Sequence, residues 1–170
     1  MSNLEVPGSV LVVDDDADIR KLLAGLLVEF AVEDVPTVSD AWSVLDRDVE
    51  DAPTVVILDL VLDQHDGREL LDHVKIRSGQ TQPIIITGAV SLPQDEQMML
   101  AYRDVPILQK PFSIPQVTAA VWAKSQRAKE RRLLGELSSV LGQISRGDVM
   151  QQELAKARRV FSEGSARKSS

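Results

Sequence analysis

The sequence predicts an α/β fold: a doubly wound, five-stranded parallel sheet followed by a helical C-terminal extension. Three observations carry this. Five short apolar runs, Val10–Val13, Val32–Val35, Thr54–Leu58, Pro83–Ile86 and Val105–Leu108, are each bounded by polar residues, as buried strands are. Stretches of helical periodicity separate them, the alternation expected of a parallel sheet covered on both faces. The charge is also split. Residues 1–120 hold 8 Lys and Arg against 21 Asp and Glu, a balance of −13. Residues 121–170 hold 11 against 5, a balance of +6. An acidic body with a basic tail argues for two parts with different tasks.

The elements follow in order. Ile19, Leu22, Leu23, Leu26, Leu27 and Phe30 keep the i, i+3, i+4, i+7 spacing of an amphipathic helix after the first strand. Ser39 is a candidate cap for a second helix with Ala41, Trp42, Val44 and Leu45 inward. Gly67 opens a third with Leu70, Leu71 and Val74 inward. After a turn at Pro93, Met98, Met99 and Ala101 suit a fourth. Lys110-Pro111-Phe112 turns into a last helix starting near Ser113-Ile114-Pro115.

Composition removes several chemistries. The 170 residues include no cysteine, so disulfides, thiolate metal sites and cysteine nucleophiles are out. With only His65 and His73, a histidine cage is out too, and both read as surface residues. The opening MSNLEVPGSV has neither the basic start nor the apolar run of a secretory signal, and no stretch of 18 apolar residues occurs. The expectation is a cytoplasmic protein without membrane contact.

Ligands of doubly wound sheets bind at the strands' C-terminal edge, where strand order reverses. The polar residues at that edge are Asp14 and Asp15, Asp59, Thr87 and Lys110. Carboxylates brought together from two strands repel, and so demand a counter-cation or a raised pKa. Magnesium suits them, since it takes oxygen ligands and keeps waters that a phosphate can replace. An aspartate can also accept a phosphoryl group as an acyl phosphate. Phosphoryl transfer needs chiefly positioning and charge neutralisation, which a divalent ion, the Lys110 ammonium and the Thr87 hydroxyl could share. Taken singly, these residues are bland. Asp14–Asp16 would cap a helix, Thr87 would end a strand, and Lys110 would be a solvated charge; Asp16 is read as a cap or a solvated residue rather than a metal ligand.

Together, the segments VLVVDDDADIRKLL, VVILDLVLDQHDGREL, PIIITGA and ILQKPF resemble the response regulator receiver domain of two-component signalling, in its order and near its spacing. The resemblance covers residues 9 to about 123 and implies a flavodoxin-like fold. It implies that Asp59 is the phosphoacceptor. It also implies that Asp15 directly, and Asp14 more through water, hold Mg2+ (or Mn2+) with Asp59 and the backbone carbonyl of Val61. Thr87 matches the hydroxyl that moves toward the phosphoryl group, and Lys110 the lysine that pairs with it. The Lys110-Pro111 bond is often cis in the family. The implied donor is a sensor histidine kinase or a histidine phosphotransfer protein. The implied protein is a signalling switch in a phosphorelay, catalysing at most its own phosphorylation and dephosphorylation.

The pattern departs in places. Asp63 stands where the loop after the acceptor usually has proline. Ile107 stands where the family often has an inward-swinging aromatic, and Tyr102 lies five residues earlier. Gly88 follows the threonine where alanine is common, keeping room for the phosphoryl group. Val61 and Ala89 occupy two positions that in the family influence hydrolysis of the acyl phosphate. Neither can orient an attacking water by hydrogen bonding, which predicts a long-lived phosphoaspartate.

Residues 1–8 read as an N-terminal arm, 9–123 as the receiver domain and 124–170 as a helical extension with a frayed basic end. AKSQRAKERRLL is rich in helix formers, and Leu134, Leu137, Leu141 and Ile144 follow a 3-4-3 spacing resembling a coiled-coil seam. Gly147 would stop that helix, and Asp148 would cap another striped by Met150, Leu154, Ala157 and Phe161. The tail is too short for a usual DNA-binding effector, which favours a homodimer or docking to a downstream protein over DNA binding. Two other functions stay open: a receiver-fold scaffold acting without phosphorylation, and a phosphatase of the haloacid-dehalogenase type. Asp14-x-Asp16 fits the opening motif of the latter superficially, but that reading leaves the Asp59 segment unexplained.

Overall fold

A computed structural model describes residues 8–48, 51–62, 65–77, 81–88 and 93–166. The chain divides into two compact units, Met1–Arg131 and Arg132–Ser170. In chain order the elements are β1 (Ser9–Val13), α1 (Ala17–Leu26), β2 (Ala31–Val35), α2 (Val38–Leu45), β3 (Val55–Leu58), β4 (Val61–Leu62), β5 (His65–Asp66), α3 (Gly67–Arg77), β6 (Gln82–Thr87), α4 (Gln94–Tyr102), β7 (Ile107–Gln109) and α5 (Ile114–Ala166).

The main sheet has five strands in the order β2-β1-β3-β6-β7, all parallel. Alternate side chains of each strand enter two separate cores, as the pleat requires. Val10, Val12, Ile57, Ile84 and Ile86 meet Leu23 and Leu27 of the first helical segment and Val117 and Val121 of α5. Leu11, Val13, Val56, Leu58 and Ile85 meet Val38, Leu45, Leu70, Val74 and Leu100 on the other face. Because both faces are covered, the strands read as unbroken apolar runs. The order reverses between β1 and β3, so a crevice opens where these two strands end.

Several expectations need correction. The first helix ends at Leu26, not near Phe30: the Leu27 N–H closes on the Leu23 carbonyl, and the chain turns to start β2. Leu27 and Phe30 are buried all the same, which preserved the periodicity. The second helix is capped by Thr37 rather than Ser39; the Thr37 hydroxyl accepts the Asp40 N–H at 3.1 Å and donates to the Asp40 carboxylate at 2.6 Å. The last strand starts at Ile107, not Val105. Asp104 takes a left-handed conformation (φ 56°) and the Val105 N–H bonds back to the Leu100 carbonyl, completing a Schellman-type end to α4. Pro106 has no N–H to offer the ladder. A small antiparallel ribbon, Val61–Leu62 with His65–Asp66, was not foreseen.

The last helix starts where expected, and of Ser113 and Ile114-Pro115 it is Ser113 that caps it, its hydroxyl and backbone N–H both engaging Gln116. Gly147 does not stop this helix, which runs through Ala166 without interruption. A single glycine costs a helix about 1 kcal/mol relative to alanine and breaks it only with further help. The expected second tail helix is therefore absent, and its side-chain stripe lies outside the described residues. So do Asp63, Ala89 and the side chain of Tyr102. Among the described residues, no helix is long and apolar enough to cross a membrane.

Candidate functional site

Asp14 and Asp59 are the first residues beyond two adjacent strands whose ends are in register, Val13 opposite Leu58. The Asp59 N–H donates to the Val13 carbonyl at 2.9 Å, which fixes the second carboxylate beside the first. Both are buried, at 2% and 5% exposure, and Asp15 is half-buried. One oxygen of each of the three carboxylates lies within 4.8 Å of the others.

Each buried carboxylate is held in the same way. One Asp14 oxygen accepts the Asp16 N–H at 2.9 Å, and one Asp59 oxygen accepts the Val61 N–H at 2.9 Å. Such bonds to an N–H two residues on are the local device that aspartates supply in turns. The remaining oxygens both receive the Lys110 ammonium, at 2.7 Å to Asp14 and 2.7 Å to Asp59. Lys110 leaves the end of β7, where its N–H donates to the Thr87 carbonyl at 2.9 Å. Thr87 is the buried last residue of β6. The peptide bond Lys110-Pro111 is cis.

The electrostatics follow from this packing. Burial pushes the Asp14 carboxyl above its ordinary value, more strongly than Lys110 and the Asp16 N–H pull it down. Burial works against the Lys110 ammonium, but its bonds to Asp14 and Asp59 outweigh that and hold its pKa above the usual lysine value. Three carboxylates facing one ammonium leave an excess of negative charge, and hard oxygen donors of this kind fit Mg2+ or Mn2+.

Asp16 serves as the N-cap of α1, its carboxylate accepting from Asp18 at 2.8 Å and from Ile19 at 3.4 Å. Arg20, which sequence reasoning missed, braces the acidic loop from behind. Its guanidinium donates to the Asp14 carbonyl at 2.7 Å and the Asp15 carbonyl at 3.0 Å, and pairs with Asp34 at 2.9 Å. Its place one turn into the helix that follows the acidic triplet was the only available signal. At Gly88, a Cβ would meet only the Lys110 side chain, at 3.9 Å, so the small residue common there would also fit. Ile107 is partly buried and packs against the core shared with α2 and α3. His73 lies edge-on to Trp42, their ring centroids 4.1 Å apart and away from the site.

Comparison with known proteins agrees with this geometry. The family model of the response regulator receiver domain matches residues 10–122. The transcriptional regulatory protein YxdJ of Bacillus subtilis is 31% identical over 134 residues, covering 79% of this chain and 55% of that protein. The response regulator ArlR of Staphylococcus saprophyticus is 29% identical over 125 residues, 74% of this chain and 56% of its own. The chain thus spans about half the length of these curated relatives. Among solved structures, the response regulator StyR superposes with a TM-score of 0.67 at 26% identity, covering 79% of this chain and 67% of that one. Carboxylates at the ends of β1 and β3, a lysine beyond β7 and a receiver-domain match over most of the first unit lead to one conclusion: the chain belongs to the response regulator receiver family.

Proposed function

We propose that Asp59 accepts a phosphoryl group from a sensor histidine kinase or a histidine phosphotransfer protein, and that the chain acts as a switch rather than as a metabolic enzyme. The observation that carries this is the Lys110 ammonium, 2.7 Å from both Asp14 and Asp59, inside a buried group of carboxylates. A buried carboxylate with a neighbouring cation can act as a nucleophile and hold the added charge afterwards. In the transfer, an Asp59 oxygen bonds to phosphorus as the phosphorus–nitrogen bond of the donor imidazole breaks, and the imidazole leaves with that electron pair. Asp14, Asp15, Asp59 and the Val61 carbonyl are the residues to hold a divalent ion. When bound, it supplies charge neutralisation for the phosphoryl oxygens.

Lys110 would exchange a carboxylate contact for a phosphoryl oxygen, and the Thr87 hydroxyl would supply a hydrogen bond. Those movements bias a two-state face formed by α4, β7 and α5. Since α5 runs on past the first unit, output through the extension, residues 124–170, follows by dimerisation or docking to a downstream protein. The phosphatase alternative fares worse, because the Asp16 carboxylate it would need is committed to capping α1.

The test is labelling with a radioactive small-molecule phosphodonor in Mg2+. Wild type should take up acid-stable, base-labile label, Asp59→Asn should take up none, and Asp14→Asn should label slowly. Undiminished label on Asp59→Asn would refute the assignment.

A further inference from the structure

Within α5, Leu133, Leu134, Leu137, Val140, Leu141 and Ile144 are exposed by 51% to 65%. At 3.6 residues per turn these six occupy an arc of about 120°. A stripe of that width is what a helix turns toward a core. No charged residue falls within the arc between residues 131 and 144. Of the charges bordering it, Glu136 is paired with Arg132 of the same helix at 3.3 Å.

We infer that this face is a self-association seam, covered by a second copy of this chain whether or not Asp59 carries phosphate. The 3-4-3 spacing of Leu134, Leu137, Leu141 and Ile144 sets knobs of one helix against holes of an identical one. Identical faces satisfy each other about a two-fold axis, so no other partner is required. The flanking positions beside Leu134 and Leu141 hold Ser138 and Ser145, so like charges are not forced together. Six side chains exposing on the order of 100 Å² each give roughly 600 Å² per copy, which with rim contacts approaches the roughly 800 Å² per partner of a standard stable interface. The inference stands on the helix alone. It does not need the role given to Asp59, and of the two outputs proposed for the extension it leaves docking to a downstream protein as the one phosphate would control.

Light scattering on the full chain, without any phosphodonor, should give twice the 18.7 kDa chain mass at micromolar concentration. The double variant Leu137→Glu/Leu141→Glu should run at one chain mass, its dissociation constant raised by about a hundredfold or more. Both positions are exposed, so circular dichroism and phosphodonor labelling of the variant should match wild type and show that it is folded. A wild-type chain that stays single at hundred-micromolar concentration would overturn the inference and leave the face to a different protein. A dimer that survives the double substitution would overturn it too. So would one that forms only after addition of beryllofluoride and Mg2+.

Discussion

Gly67 lies with its backbone against Asp59: a Cβ at position 67 would sit 2.4 Å from the Asp59 carbonyl oxygen and 3.0 Å from the Leu60 Cα. The Gly67 N–H donates to the Leu60 carbonyl at 3.1 Å, so the start of α3 and the end of β3 are locked main chain to main chain. Backbone cannot step aside as a flexible side chain can. Gly67→Ala should therefore displace the segment that carries Asp59, costing about 2 kcal/mol of stability. Phosphodonor labelling should fall with it. Gly25→Ala is the control, because nothing lies within 4 Å of a Cβ there. In the last turn of α1 it should stabilise, by about 0.4–1 kcal/mol. Urea denaturation of the two variants checks both signs.

Lys110 and a divalent ion answer the same excess negative charge. Removing the ammonium with Lys110→Ala leaves Asp14 and Asp59 facing each other with no cation between them. Mg2+ affinity should then rise, by about fivefold for each kcal/mol of repulsion relieved. Labelling at Asp59 should persist but lose its conformational readout, since Lys110 ties the site to the end of β7. Titration of Mg2+ followed by thermal shift would detect the change, and weakened binding would count against the competition.

The strand ends were legible in the sequence because strand ends are where apolar runs stop. Asp14, Asp59, Thr87 and Lys110 all sit within a residue of such a boundary. Cap choice was not legible: Thr37 and Ser39 are equally good caps, and only the placement of Val38 in the core selects Thr37. Helix length was ambiguous for the same kind of reason, since Leu27 and Phe30 continue the apolar period after the helix has ended. Arg20 was hidden because the two partners that matter to the site are backbone carbonyls, which leave no mark on residue type, and its side-chain partner Asp34 lies on β2. Gly147 misled because a stop signal competes with the good helix formers on both sides.

Burial raises the Asp14 carboxyl above its ordinary value, so the folded chain binds more protons than the unfolded one over that interval. Ionised Asp14 therefore costs stability, and the cost is absent below the unfolded pKa and complete once pH has passed the folded one. Asp14→Asn should thus stabilise metal-free protein near neutral pH. That advantage should shrink toward zero as pH falls to the ordinary carboxylate range. Saturating Mg2+ should reverse the ranking, because wild type, with all three carboxylates, gains more from binding it. Melting curves of both proteins across this pH range, with and without Mg2+, test all three statements.

Asp104 holds a left-handed turn at the end of α4 and is contacted by two residues of α5. The nearly buried Lys124 ammonium pairs with its carboxylate at 2.9 Å and also meets its carbonyl, and Arg127 pairs with the same carboxylate. Burial, helped by Arg131, lowers the Lys124 pKa, so this ammonium sits in the fold at a cost. Asp104→Asn keeps a residue that tolerates the left-handed turn and removes the charge, which should destabilise by about 1–2 kcal/mol. Lys124→Met should cost less, because it removes the buried charge rather than stranding it. The reverse order in urea denaturation would mean that the pair itself, rather than the stranded ammonium, sets the cost.

Val61 is 59% exposed and follows Asp59 by two residues, with its N–H on the Asp59 carboxylate. A side chain without donor or acceptor cannot hold a water in line with the phosphorus–oxygen bond, so hydrolysis of the acyl phosphate has to rely on unassisted solvent. Phosphorylated wild type should lose its label over minutes rather than seconds. Val61→Asn or Val61→Gln, which place an amide at the same exposed spot, should hasten the loss at least severalfold without changing the rate of labelling. Decay of wild type within seconds, or variants that decay no faster, would show that water reaches the phosphoryl group by a route this side chain does not govern.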